Sequence, residues 1–142
     1  MLHRLVLATL ATTAAGAAGL GPVPPLSLLS PPDVLTVTIS KSGHPKADGT
    51  YRLDCGSSKP GGDHPAADRA CDRLARLADE GQDPFKPVAK DALCGQQYGG
   101  PALARVTGDW QGRAVDARFS RANGCEIDRW ENLEPVLPRL RG

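Results

Sequence analysis

The side chains best equipped for chemistry are four cysteines, Cys55, Cys71, Cys94 and Cys125, two internal histidines, His44 and His64, and the adjacent glutamines Gln96 and Gln97. Zinc would need close ligand pairs of the C-x-x-C kind. None is present, and neither a metal nor another cofactor is expected. Ser120 and His64 could be combined with an aspartate as a triad, but no G-x-S-x-G turn raises a serine nucleophile. His64 precedes Pro65 where a helical pattern begins, so a hydrogen-bonded structural histidine is the ordinary reading, and His44 sits in a polar loop. No catalytic residue is assigned, and the chain is not read as an enzyme. An even number of cysteines in a small exported domain forms a disulfide framework. Two bridges are therefore expected, and spacing alone leaves all three pairings open.

Export itself is read at the N-terminus. Arg4 precedes an apolar run from Leu5 that ends in small residues around Ala15-Gly16-Ala17-Ala18. That order is the pattern of a secretory signal peptide, assigned to residues 1–18. The run is shorter than the roughly 20 apolar residues that span a bilayer, so no membrane anchor is expected and the mature chain is predicted to be secreted and extracellular. Residues 19–33 contain Pro22, Pro24, Pro25, Pro31 and Pro32 and read as a flexible lead-in that joins neither helix nor central strand. The remainder, residues 34–142, has the length of one small domain.

Charge narrows the partners. The chain of 142 residues carries 17 basic and 16 acidic side chains, a net charge of +1, with no concentrated positive field for a phosphate backbone. Its six aromatic residues are scattered, which leaves no base-stacking platform. Nucleic acid is excluded as the expected partner.

The elements that must position the cysteines and glutamines follow from periodicity. Residues 35–40 alternate, with Leu35, Val37 and Ile39 on one face and hydroxyls on the other, which predicts a half-buried strand. A second short strand is expected over 51–55, after Asp48-Gly49. Gly61-Gly62-Asp63-His64-Pro65 reads as a turn with the proline in the first turn of a helix over 66–78, whose apolar face carries Ala67, Ala70, Cys71, Leu74, Leu77 and Ala78. Arg69, Arg73 and Arg76 then form a solvated stripe. Residues 83–100 hold no period and several Gly and Pro residues, and form a loop. Segments 102–110 and 113–120 flank Gln111-Gly112, the signal of a two-residue hairpin turn. Residues 127–140 allow one short element before Pro135 and Pro138. The fold class is α+β: a small antiparallel sheet with one main helix packed on it.

Two stretches carry a resemblance to a known family. The run Gly62-Asp63-His64-Pro65-Ala66-Ala67-Asp68-Arg69-Ala70-Cys71-Asp72-Arg73-Leu74 resembles, in order and spacing, the signature of the Streptomyces subtilisin inhibitors. A second match runs through Cys94, Tyr98, Trp110-Gln111-Gly112, Phe119-Ser120 and Asn123-Gly124-Cys125. With Leu35-Thr36-Val37 and Cys55, the resemblance covers residues 35–130. It implies the pairings Cys55 with Cys71 and Cys94 with Cys125. It also implies a sheet of about five strands with two helices, and a homodimer formed through that sheet. The implied activity is inhibition of an extracellular serine protease, subtilisin-like or trypsin-like, by a loop that binds as a substrate.

Carried across from Cys94, the reactive loop comprises Leu93, Cys94, Gly95, Gln96, Gln97 and Tyr98, with the scissile bond between Gln96 (P1) and Gln97 (P1′). Asn123 matches the asparagine that braces this loop. Gln96 stands where methionine, leucine, lysine or arginine is usual, Gly95 stands for the common proline or threonine at P2, and Gly99-Gly100-Pro101 makes the loop exit one residue longer than in the best-known members. A rival reading of another class treats exposed Gln96 and Gln97 as acyl donors to an extracellular transglutaminase. A third keeps the scaffold as a non-inhibitory binding module.

Overall fold

Alternation in the sequence becomes the two faces of a sheet. The computed structural model describes residues 16, 19–22 and 31–141. The expected signal segment, apart from Gly16, and residues 23–30 of the lead-in lie outside the described residues. The elements are β1 (Val34–Ser40), β2 (Gly49–Asp54), β3 (Gly61–Gly62), α1 (Ala67–Asp79), β4 (Leu103–Trp110), β5 (Arg113–Ser120) and α2 (Gly124–Asn132). The strands form one antiparallel sheet in the order β3-β2-β1-β4-β5, which bears out the expected α+β architecture with two helices and two disulfides.

Leu35, Val37 and Ile39 of β1 share the buried face with Leu53, Ala104, Val106, Trp110, Ala117 and Phe119. Register explains the hairpin: Ala104 lies opposite Phe119 and Val106 opposite Ala117. Gln111 and Gly112 both have positive φ, 51° and 73°, as a type I′ turn requires, and glycine takes that conformation without penalty. The opposite face of the sheet carries Thr38, Thr50 and the exposed Arg105–Asp116 pair, whose hydrogen bond holds Asp116 below the usual carboxylate range.

α1 buries Ala70, Cys71, Leu74 and Leu77 over the β2–β3 end of the sheet. Its C-terminus closes with the two bonds of a Schellman motif, from the Gln82 N–H to the Leu77 carbonyl and from the Gly81 N–H to the Ala78 carbonyl. At the other end α2 packs on β5, and the chain beyond it buries Leu133, Val136, Leu137 and Leu140. Trp130 is fully buried, with its Nε1–H donated to the Pro138 carbonyl at 2.9 Å.

Several expectations need correction. Gly61 and Gly62 are not merely a turn, because they pair with Asp54 and Leu53 as the edge strand. Pro65 stands before the helix instead of in its first turn, since the N-cap is Ala66. The terminal element starts at Gly124, three residues ahead of the expected 127. Arg73 does not belong to a purely solvated stripe, for its guanidinium donates to the Asn132 backbone carbonyl and side chain at 2.9 and 2.8 Å and ties α1 to α2. The lead-in is anchored at its end, where Asp33 accepts from the Gln111 backbone and side chain.

Candidate functional site

The segment between α1 and β4 crosses the surface with little burial of its own, so its shape has to come from elsewhere. Its entrance is fixed at Phe85, which is buried edge-on against Trp110 with ring centroids 5.3 Å apart. Arg129 of α2 holds the same point. Its guanidinium donates to the carbonyls of Lys86 (2.8 Å), Phe85 (3.1 Å) and Arg118 (2.6 Å) and lies 4.0 Å over the Phe119 ring. Burial lowers the pKa of this guanidinium, and Glu126 at 3.6 Å opposes that shift.

From Lys86 to Tyr98 no residue is buried. Leu93 is 101% exposed and Tyr98 68%, unusual values for large apolar side chains, and Gln96 and Gln97 between them are exposed too. Residues 93–100 contain no strand or turn. The segment therefore lies outside the sheet without regular structure and is held at points. Cys94 is bonded to Cys125 in the first turn of α2. The Gly124 N–H, at the start of the same helix, donates to the Gly95 carbonyl at 2.9 Å. At the exit, Gly99 donates its N–H to the Arg121 carbonyl at 2.7 Å and accepts from Arg121 Nε at 3.1 Å.

The predicted residues thus come together as one exposed strip, with Leu93, Cys94, Gly95, Gln96, Gln97 and Tyr98 in sequence over the N-terminal end of α2. The Gln97 side chain folds back across it. A Cβ on Gly124 would stand 2.7 Å from Gln97 Oε1, and one on Gly95 would stand 3.1 Å from the same atom. A side chain at either position would displace the Gln97 amide from this place.

Asn123 sits beside the strip, but its Oδ1 accepts from the Glu126 N–H at 3.0 Å as the N-cap of α2. The direct hydrogen bond onto the Gly95 carbonyl is donated by the Gly124 backbone N–H instead. Cys55 and Cys71 lie apart from the strip and join the end of β2 to α1. His64 is buried, with Nδ1 accepting from the Ala66 N–H at 3.1 Å, which leaves the proton on Nε2 to be donated to the Val136 carbonyl at 2.9 Å. Both nitrogens are thereby used in the fold. No group of three metal-ligating side chains occurs among the described residues.

Gly124, Arg129 and Arg121 escaped the sequence reading. Asn123 and Glu126 do have the spacing of an N-cap and its third helical residue, a signal that would have started α2 at Gly124. Nothing local marks either arginine as a loop anchor, since the loop carbonyls they hold lie 22 to 44 residues away.

The family model described as subtilisin inhibitor-like matches residues 31–123. Subtilisin inhibitor-like protein 2 of Streptomyces rochei is 35% identical over 104 residues, 71% of this chain and 88% of that protein. Subtilisin inhibitor-like protein 3 of Streptomyces coelicolor is 35% identical over 101 residues, 66% of this chain and 87% of that protein. The crystal structure of Streptomyces caespitosus sermetstatin in complex with Bacillus licheniformis subtilisin is similar with a TM-score of 0.48 and 22% identity, covering 77% of this chain and 100% of that one. Matched over most of the domain by the family model and by relatives at this identity, the chain belongs to the subtilisin inhibitor-like family.

Proposed function

We propose that this protein is a secreted inhibitor of extracellular serine proteases that presents residues 93–98 as a substrate, with Gln96–Gln97 as the scissile bond. The observation that carries this reading is an exposed strip outside the sheet, pinned on both sides of that bond by Cys94–Cys125 before it and by Gly99 after it. A serine protease needs an extended backbone with free hydrogen-bonding groups and one side chain for its S1 pocket. Preorganisation supplies both with little ordering entropy left to lose. Cys94, Gly95, Gln96, Gln97 and Tyr98 would occupy P3 to P2′, with Leu93 at P4. Export requires removal of residues 1–18, and the polar outer face of the sheet would form the homodimer. Relatives are named as subtilisin inhibitors, which supports the inhibitory role on the same fold.

Titration against subtilisin, trypsin and chymotrypsin tests the reading, with stoichiometric, saturable inhibition of at least one enzyme as the expected result. Gln96→Lys should turn the inhibitor toward trypsin, whose pocket carries a carboxylate, because a desolvated charge pair contributes several kcal/mol. Gln96→Leu should favour subtilisin by removing an amide that costs roughly 1–3 kcal/mol to bury unpaired. If both variants fold and inhibit all three proteases as the parent does, Gln96 is not P1. Amine incorporation at the glutamines without protease inhibition would support the transglutaminase-substrate reading instead.

A further inference from the structure

The two sides of the proposed scissile bond are tied down in different ways. On the acyl side, Cys94 is covalently bonded to Cys125 and the Gly95 carbonyl is held by Gly124. On the amine side there is no covalent tie. Gln97 and Tyr98 are exposed, and the first fixed residue is Gly99, bonded at both its N–H and its carbonyl to Arg121.

We propose that Arg121 is a positioning residue for the leaving group: its clamp on Gly99 keeps the Gln97 amine beside the acyl-enzyme so that the bond is remade faster than water hydrolyses it. The proposal rests on the inhibitory reading above. Arg121 is 5% exposed, an unusual state for an arginine. Its ion pair does not account for that burial. Glu131 stands 3.7 Å from Nη2 with a half-exposed side chain, and Nη1 has no hydrogen-bond partner among the described residues. The guanidinium lies 5.8 Å from the centre of the Trp130 ring, and its well-formed hydrogen bond runs from Nε to Gly99. Contact between the two residues is close. A Cβ on Gly99 would meet Arg121 Nε at 2.9 Å and Arg121 Cβ at 3.0 Å.

The chemistry defines what the clamp must do. The protease serine Oγ adds to the Gln96 carbonyl carbon, the bond from that carbon to the Gln97 nitrogen breaks, and the protease histidine passes the serine proton to the departing amine. The amine can attack the ester again, restoring the peptide bond and returning the proton to the serine. Alternatively water attacks, leaving Gln96 as a carboxylate, the amine free and the serine regenerated. The balance follows the local concentration of the amine. With Gly99 fixed, the amine is tethered two residues away. With Gly99 released, the next buried residue is Ala102, five residues away. An effective concentration that falls as the −3/2 power of tether length drops about fourfold between those lengths.

The test uses the mature, oxidised chain and subtilisin, following cleavage at Gln96–Gln97 by mass spectrometry beside the inhibition titration. Arg121→Met removes the Nε bond but keeps the bond from the Gly99 N–H to the backbone carbonyl of residue 121, so it should raise the rate of cleavage within the complex by up to about fourfold. Arg121→Lys should recover part of the resistance through its remaining cation, and Gly99→Ala should give a rise from the other side of the clamp. A core variant of lowered melting temperature, Leu77→Ala, separates positioning from general destabilisation, because it should leave cleavage slow at a temperature where it is folded. If Arg121→Met fails to fold, Gly99→Ala carries the same expectation. Unchanged cleavage in the folded variants while the parent inhibits overturns the clamp alone, as does faster cleavage in Leu77→Ala to the same degree. A parent chain that fails to inhibit subtilisin, trypsin and chymotrypsin overturns the inhibitory reading and the clamp with it.

Discussion

Leu77 and Leu93 are the same side chain in opposite settings, the first completely buried between α1 and the sheet and the second fully exposed in the loop. The body around Leu77 gets its shape from apolar burial, so its side chains are committed to one another. The loop around Leu93 gets its shape from backbone-directed ties: one disulfide, the N–H of Gly124, and the guanidinium groups of Arg129 and Arg121. Side chains at positions 93, 96 and 98 are left free to face a partner. The difference assigns stability to the buried set and, on the proposed reading, recognition to the exposed one. Substitutions should therefore separate them.

Making the same change at both leucines tests this most severely. Leu77→Ala removes three buried carbons from a packed core and should destabilise the domain by about 2–5 kcal/mol, lowering the melting temperature by roughly 10–20 °C. Leu93→Ala should stay within about 0.5 kcal/mol of the parent. Denaturation followed by the fluorescence of buried Trp110 and Trp130 reads both. Equal losses of stability would mean that the loop is part of the core and would end the contrast.

The disulfides divide along the same line. Cys55 and Cys71 are separated by 16 residues and Cys94 and Cys125 by 31. The chain-entropy model assigns them about 3 and about 3.5–4 kcal/mol, so loop closure alone gives the outer bridge no smaller share. Their native surroundings differ, because Cys71 belongs to the buried face of α1 while Cys94 borders the exposed strip. Replacing Cys55 and Cys71 by serine and alanine should lower the denaturation midpoint while leaving inhibition intact in the folded fraction. Replacing Cys94 and Cys125 by serine should lower the midpoint comparably and also convert the loop into a rapidly cleaved substrate. Comparable resistance to cleavage in both variants would show that the bridge does not hold the acyl side.

Legibility in the sequence follows the same division. Residues that act through periodicity were readable: the alternation of β1, the apolar face of α1, and the hairpin around Gln111-Gly112 each encode their burial locally. The exposed 83–100 loop was readable for the converse reason, as a stretch with no period. β3 was not, because a pair of glycines has no side-chain pattern and is defined only by its register with Leu53 and Asp54. Gly62 is required there, since a Cβ would overlap the Arg52 carbonyl. Arg121 and Arg129 were hidden in another way. An arginine looks like surface until the distant carbonyl it holds is known, and for both residues that carbonyl lies in the loop segment.

Asn123 is the point where body and loop meet, and the loss of stability expected there is smaller than that of the core cavity or of either disulfide. Its side chain caps α2 through the Glu126 N–H, and the next residue donates its own N–H to the Gly95 carbonyl. Asn123→Ala should cost about 1 kcal/mol, the usual loss for an N-cap, with a fall of a few degrees in melting temperature. Because the uncapped first turn carries both Gly124 and Cys125, cleavage at Gln96–Gln97 by subtilisin should also quicken. Asn123→Asp keeps the accepting oxygen and adds a negative charge at the positive end of the helix dipole, so it should restore stability. Its effect on cleavage separates two ways in which Asn123 could support the loop. Recovery of resistance in the aspartate variant means that the residue acts through the cap, as its geometry indicates. Fast cleavage in a fully stable aspartate variant would mean that the amide nitrogen, which aspartate lacks, braces the loop directly. The division between a stabilising body and a recognising loop would then be bridged by a side chain belonging to both.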